Sequence, residues 1–114
     1  MEHKMKPEKL IRDGLVAVLY SPGYGAGWST WWEDELAEFV TYDRRLVELA
    51  ERAASDQEVK DLLSSLLGPD VHIYTGGWDQ IDIAWIPEGT NFRINEYDGY
   101  ESIELAAEIG WLVA

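Results

Sequence analysis

The chain has 114 residues, 46% of them hydrophobic, with no cysteine and a formal net charge of −13. That length fits a single domain over residues 1–114 with apolar content for its own core. The charge excludes direct binding to nucleic-acid backbones or anionic membranes, which lysine and arginine would hold, and the missing cysteine excludes disulfides, thiolate metal sites and a cysteine nucleophile.

Pro7 to Gly14 reads as a short helix, with proline in its first turn and glycine at its end. Leu15 to Tyr20 is a continuous apolar run of strand length and is expected to be a buried central strand. A loop rich in glycine and aromatics follows, Ser21-Pro22-Gly23-Tyr24-Gly25-Ala26-Gly27-Trp28-Ser29-Thr30-Trp31-Trp32. Thr30-x-x-Glu33 has the form of a capping box and predicts a helix from Trp31. Asp43 is expected to cap a second helix through Ala54, and Ser55-x-x-Glu58 a third, whose Val59, Leu62, Leu63, Leu66 and Leu67 recur at helical spacing. Gly68-Pro69 ends it.

After Asp70 the period changes to two. Strands are expected at 71–75, 81–86 and 92–97, with turns at Gly76-Gly77 and Pro87-Glu88-Gly89-Thr90. Asp98-Gly99 is a hairpin signal, and a two-residue turn there places Tyr97 opposite Tyr100, Glu96 opposite Glu101, Arg93 opposite Glu104, Ile94 opposite Ile103 and Phe92 opposite Leu105. Ile109 to Val113 reads as a last short strand. The fold class is α+β: an antiparallel sheet, built of a C-terminal meander plus the early central strand, with three or four helices in the N-terminal half. Val16, Val18, Leu62, Leu66, Ile83, Trp85, Ile94 and Ile103 are the expected core. The polar N-terminal residues and the lack of any membrane-length apolar run predict a cytoplasmic protein.

Catalytic motifs are thin. The loop lacks the lysine of a P-loop, and Gly23-x-Gly25-x-Gly27 does not match dinucleotide spacing. Free N–H groups around Thr30 to Trp32 could hold an anion, although Glu33, Asp34 and Glu35 oppose one. His3 and His72 are too few for a zinc site, no calcium loop is present, and no nucleophile elbow surrounds Ser21 or Ser29. We therefore expect no metal and no cofactor, and place a binding role ahead of an enzymatic one, which stays open. Glu96 and Glu101 share one hairpin face, where directly opposed like charges need solvent, protons or a counter-charge. The candidate binding residues are Tyr24, Gly25, Gly27, Trp28, Ser29 and Trp31 of the loop, with Glu96, Tyr97, Tyr100 and Glu101 of the hairpin end as a second wall. The same aromatics could instead plug the core, so both roles stand open.

Two segments, Val18-Leu19-Tyr20-Ser21-Pro22-Gly23-Tyr24-Gly25-Ala26-Gly27-Trp28 and Trp85 to Ser102 with its Gly89-Thr90-Asn91-Phe92-Arg93-Ile94-Asn95-Glu96-Tyr97-Asp98-Gly99 core, resemble a group of small, largely uncharacterised proteins of phage and prophage genomes. That resemblance implies a mobile-element origin and a protein that works by binding host machinery. Ile86-Pro87-Glu88-Gly89-Thr90-Asn91-Phe92-Arg93-Ile94 also looks like a late strand pair of ADP-ribosyltransferases. Their Glu-x-Glu pair would fall where Ile81 and Ile83 stand, with Asp79 and Asp82 out of register, so the resemblance implies a degenerate site without its catalytic carboxylate.

The leading expectation is a small acidic, non-enzymatic binding protein that engages and inhibits a basic host protein, one that handles nucleic acid or serves defence. From Asp61 onward Arg93 is the only lysine or arginine against ten carboxylates, a balance suited to a basic partner. The alternatives are a small-molecule binder sequestering a nucleotide-like ligand at the Gly/Trp loop, and a degenerate ADP-ribosyltransferase-like protein. Oligomeric state is left open.

Overall fold

In the computed structural model, which describes residues 6–105, two Asp-Gly dipeptides turn the chain. At Asp13-Gly14 both residues have positive φ, 51° and 77°, the backbone of a two-residue hairpin turn. β1 (Ile11–Arg12) therefore folds back onto β2 (Leu15–Tyr20), with Ile11 opposite Val16 and Arg12 opposite Leu15. This corrects the helix expected over residues 7–14. So short a helix is marginal without tertiary support, whereas the paired strand extends the sheet, and the Ala17 amide donates to the Leu10 carbonyl at 3.0 Å. β2 also pairs antiparallel with β3 (Asp82–Pro87), so it is central in the order β1-β2-β3, as its apolar run predicts.

At Asp98-Gly99 φ is again positive, 50° and 85°. The turn joins β4 (Phe92–Tyr97) to β5 (Tyr100–Leu105), and all five cross-strand pairs expected from the sequence are present. Arg93 and Glu104 close an ion pair at 2.8 Å. The turn at Pro87–Thr90 forms, with the Thr90 amide donating to the Pro87 carbonyl at 3.0 Å, but β3 and β4 do not pair. The expected single sheet is thus two, one of three strands and one of two. Residues 71–75, expected as a strand, pair with no strand; Val71, Ile73 and Tyr74 pack against the core instead. The expected strand at 109–113 lies outside the described residues.

Three helices fill the middle of the chain: α1 (Asp34–Tyr42), α2 (Arg44–Glu51) and α3 (Asp56–Leu67). Asp43 ends α1 and caps α2, its buried carboxylate accepting from the Arg45 amide at 3.2 Å and from the Arg45 guanidinium at 2.9 Å. Ser55 caps α3 through the Glu58 amide at 3.2 Å, as expected. The Thr30–Glu33 capping box does not form. Residues Ser29–Trp31 make one 3₁₀ turn, and α1 begins after Glu33, because the Thr30 hydroxyl is engaged elsewhere. Among the described residues no helix is long and apolar enough to cross a membrane.

The helices cover the β2 face that carries Ala17 and Leu19, packing Phe39, Val40, Leu46, Val47, Val59 and Leu63 together with Trp28 and Trp78. Val16 and Val18, on the opposite face, are buried as well. Of the remaining expected core residues, Leu62, Leu66, Ile83 and Trp85 pack at the edge, and Ile94 and Ile103 are half-buried in the hairpin. α3 turns Val59 and Leu63 inward rather than Leu66, so Leu63→Ala is expected to cost about 2–5 kcal/mol and Leu66→Ala clearly less, read by urea denaturation.

The two hairpin glycines differ in surroundings. A Cβ on Gly14 meets open space, whereas one on Gly99 would overlap the Gly25–Ala26 backbone. Gly14→Ala should therefore lose only the conformational term, about 1 kcal/mol. Gly99→Ala should lose distinctly more, and Gly99→Val more again. Equal losses at Gly14 and Gly99 in denaturant titrations would contradict this close approach.

Candidate functional site

The loop between β2 and the 3₁₀ turn at Ser29–Trp31 contains three glycines, so ordering it carries a large entropic cost. The Gly25 amide donates to the Asp98 carbonyl at 2.8 Å, tying the loop to the hairpin tip. The Tyr74 hydroxyl donates to the Gly27 carbonyl at 2.8 Å. Gly77 lies so close that a Cβ there would sit 2.8 Å from the Gly27 carbonyl oxygen.

The strongest tie is Glu101. Its side chain is fully buried. One carboxylate oxygen accepts from the Ser21 amide at 2.8 Å. The other accepts from the Trp28 amide at 2.8 Å, the Thr30 amide at 3.0 Å and the Thr30 hydroxyl at 2.5 Å. The Glu101 amide in turn donates to the Ser21 carbonyl at 2.8 Å. A buried charge is costly unless it is paired or hydrogen-bonded, and here four donors converge on it. Among the described residues no lysine, arginine or histidine lies within ion-pair distance of it. The anion-holding N–H groups expected around Thr30 to Trp32 are therefore occupied from within the chain. Thr30 serves Glu101, while the Trp31 and Trp32 amides donate to the Trp28 and Ser29 carbonyls. A nucleotide-like ligand would find none of these donors free.

The indoles of Trp28 and Trp78 complete the clamp. Their centroids are 5.5 Å apart, and their N–H groups donate to the Val40 and Ala54 carbonyls at 2.8 and 2.9 Å. Trp28 is wholly buried.

The expected site residues thus divide. Trp28, Ser29, Gly27 and Glu101 are buried in this structure, and the Trp28 indole N–H and the Glu101 carboxylate are engaged within the fold. Tyr24 (67% exposed), Trp31 (46%), Tyr97 (76%) and Tyr100 (36%) are accessible, and with Ile11 they are the large exposed apolar side chains among the described residues. Gly25 and Glu96 are also exposed. Glu96 does not share a site with Glu101. It turns to the hairpin tip and accepts from the Gly99 amide at 2.6 Å, which resolves the like-charge opposition.

Tyr97 and Tyr100 are cross-strand partners and so lie on one hairpin face. The Tyr24 ring sits on Tyr100 with centroids 4.9 Å apart. Beside them the Tyr20 hydroxyl donates to Asp82 at 3.4 Å. Burial first, and then the charge of Asp82, push the Tyr20 phenol above its ordinary pKa. Tyr74 is likewise raised, by burial and then by the charge of Glu101. Exposed carboxylates stand on β3 (Asp82), on β4 (Glu96) and at the hairpin tip (Asp98). The result is a tyrosine face within an acidic surface, on a base tied together by the Glu101 hydrogen bonds.

Sequence reasoning missed Ser21, Thr30 and Tyr74 as positioning residues. Ile81 and Ile83, where the transferase resemblance would place carboxylates, pack against the core. Among the described residues no three His, Asp or Glu side chains come together as a metal site. Comparison with protein-family models, curated proteins and solved structures finds no match.

Glu101→Leu is expected to strip acceptors from three buried or part-buried amides, at about 1–3 kcal/mol each before relaxation. Glu101→Gln keeps one acceptor oxygen and should recover part of that loss. Denaturant titration of both variants, with near-ultraviolet circular dichroism of the tryptophans, checks the order wild type, Gln, Leu.

Proposed function

We propose that this is a small acidic binding protein that engages a basic protein through the tyrosine face of Tyr24, Tyr97 and Tyr100. One observation carries the reading: the exposed tyrosines converge where the Gly/Trp loop meets the hairpin tip, while the buried Glu101 and Trp28 hold that junction rigid. Tyrosine contributes contact area at low conformational cost, and a face that is already ordered loses little on binding. The surrounding carboxylates and the net charge of −13 favour a cationic partner and speed its approach.

In the mobile-element setting that the sequence resemblance implies, the partner is a host protein that handles nucleic acid or serves defence. The acidic surface would occupy the cationic groove that otherwise holds phosphates. Binding without chemistry then suffices for inhibition.

The test is affinity for a basic protein captured from a host lysate and then purified. Its Kd should rise steeply with salt, and added DNA should compete. Tyr24→Ala with Tyr97→Ala should weaken binding at least about tenfold while leaving the melting temperature near wild type, because both side chains are mostly exposed. An affinity indifferent to salt and to the tyrosines would defeat the reading. Trp28→Ala, by contrast, should unfold the loop and core together.

A further inference from the structure

Away from the tyrosine face, the 3₁₀ turn and the segment after α3 enclose a concavity of about 370 Å³. Trp31, Trp32 and Tyr74 line it, with Glu33, Asp70 and His72 among its other walls. The Trp31 and Tyr74 rings lie 5.8 Å apart at 32°, and Trp32 meets Tyr74 edge-on at 6.5 Å and 73°. Glu33 and Asp70 are both exposed, so their charges are not consumed by the fold. The indole N–H of Trp32 is the one buried side-chain polar atom among the described residues with no hydrogen-bond partner. Indole is a donor only, so what it lacks is an acceptor.

Each wall narrows the occupant. Two carboxylates and the negative surface disfavour an anion. A neutral apolar ligand would leave those carboxylates unused. A strongly hydrated primary ammonium gains little from aromatic faces. A quaternary ammonium group carries its charge under an apolar skin and is attracted to the faces of Trp and Tyr rings. The volume also lies in the range of small-molecule sites. We propose that this cleft binds a quaternary ammonium group of a small molecule that also bears an ester or carbonyl oxygen. Trp31 and Tyr74 receive the cation, Glu33 and Asp70 balance its charge, and the oxygen offers Trp32 its acceptor. The Trp32 N–H is closed to solvent, so the indole has to turn for that contact to form. This site is independent of the tyrosine face, and neither test bears on the other.

Acetylcholine is the probe, titrated calorimetrically into the wild-type chain. Its uncharged carbon analogue, 3,3-dimethylbutyl acetate, has the same shape and ester and serves as the control. Acetylcholine should bind, and the analogue at least about tenfold more weakly. Trp31→Ala should abolish binding with the melting temperature near wild type, since the ring is 46% exposed. Trp31→Phe should restore part of it, and Glu33→Gln with Asp70→Asn should weaken it without unfolding. Equal affinity for the neutral analogue would overturn the proposal. So would unchanged binding in the Glu33→Gln, Asp70→Asn variant, or no acetylcholine binding up to about 10 mM.

Discussion

A single carboxylate, that of Glu101, organises the half of the molecule that carries the candidate site. It lies on the second strand of a hairpin that shares no ladder with the main sheet. Its four hydrogen bonds reach the end of β2, the loop and the 3₁₀ turn. Charge-assisted bonds of this kind are roughly twice as strong as neutral ones. They also fix direction, because each donor must point at one of two oxygens. A glycine-rich loop that would otherwise sample many conformations is held in one. The fold has placed an acid where a bound anion would sit, and so gains order from within.

The local part of this architecture was legible. Asp98-Gly99 set the hairpin register down to each cross-strand pair, since a two-residue turn leaves no freedom in pairing. The capping residues Asp43 and Ser55 and the stop at Gly68-Pro69 were legible for the same reason: each acts within four residues of itself. The dipeptide Asp13-Gly14 carried the same turn chemistry, but Pro7 at a first turn and Gly14 taken as a helix end outweighed it in the reading. Thr30-x-x-Glu33 matched a capping box by spacing, yet its threonine serves a carboxylate 71 positions away.

Distance along the chain explains the remaining errors. The splitting of the sheet depends on where β5 docks, and that depends on Glu101, whose partners all lie near the other end of the chain. Nothing in its local pattern separates it from Glu96, its cross-strand neighbour. One is wholly buried and the other exposed. Likewise the Gly/Trp loop announced its composition but not its division of labour. Trp28 and Trp31, three residues apart, fall on opposite sides of the line between core and surface. The choice between recognition loop and core plug was therefore not a choice: the loop does one with Trp28 and exposes Tyr24 and Trp31 as it does so.

The hairpin of β4 and β5 joins the body through hydrogen bonds and ring packing rather than a continuous ladder. Proteins open in cooperative units bounded by such seams. Detaching this hairpin would release Ser21, Trp28 and Thr30 from Glu101 in one event, and would free Gly25 from Asp98. Amides far apart in sequence would then share one opening free energy and exchange with solvent at related rates. The same event would hydrate Glu101 and disperse the tyrosines, so the binding face exists only while the seam is shut. A partner gripping both sides of the seam would draw affinity from the closed state and return stability to it, linking recognition to the joint between hairpin and body.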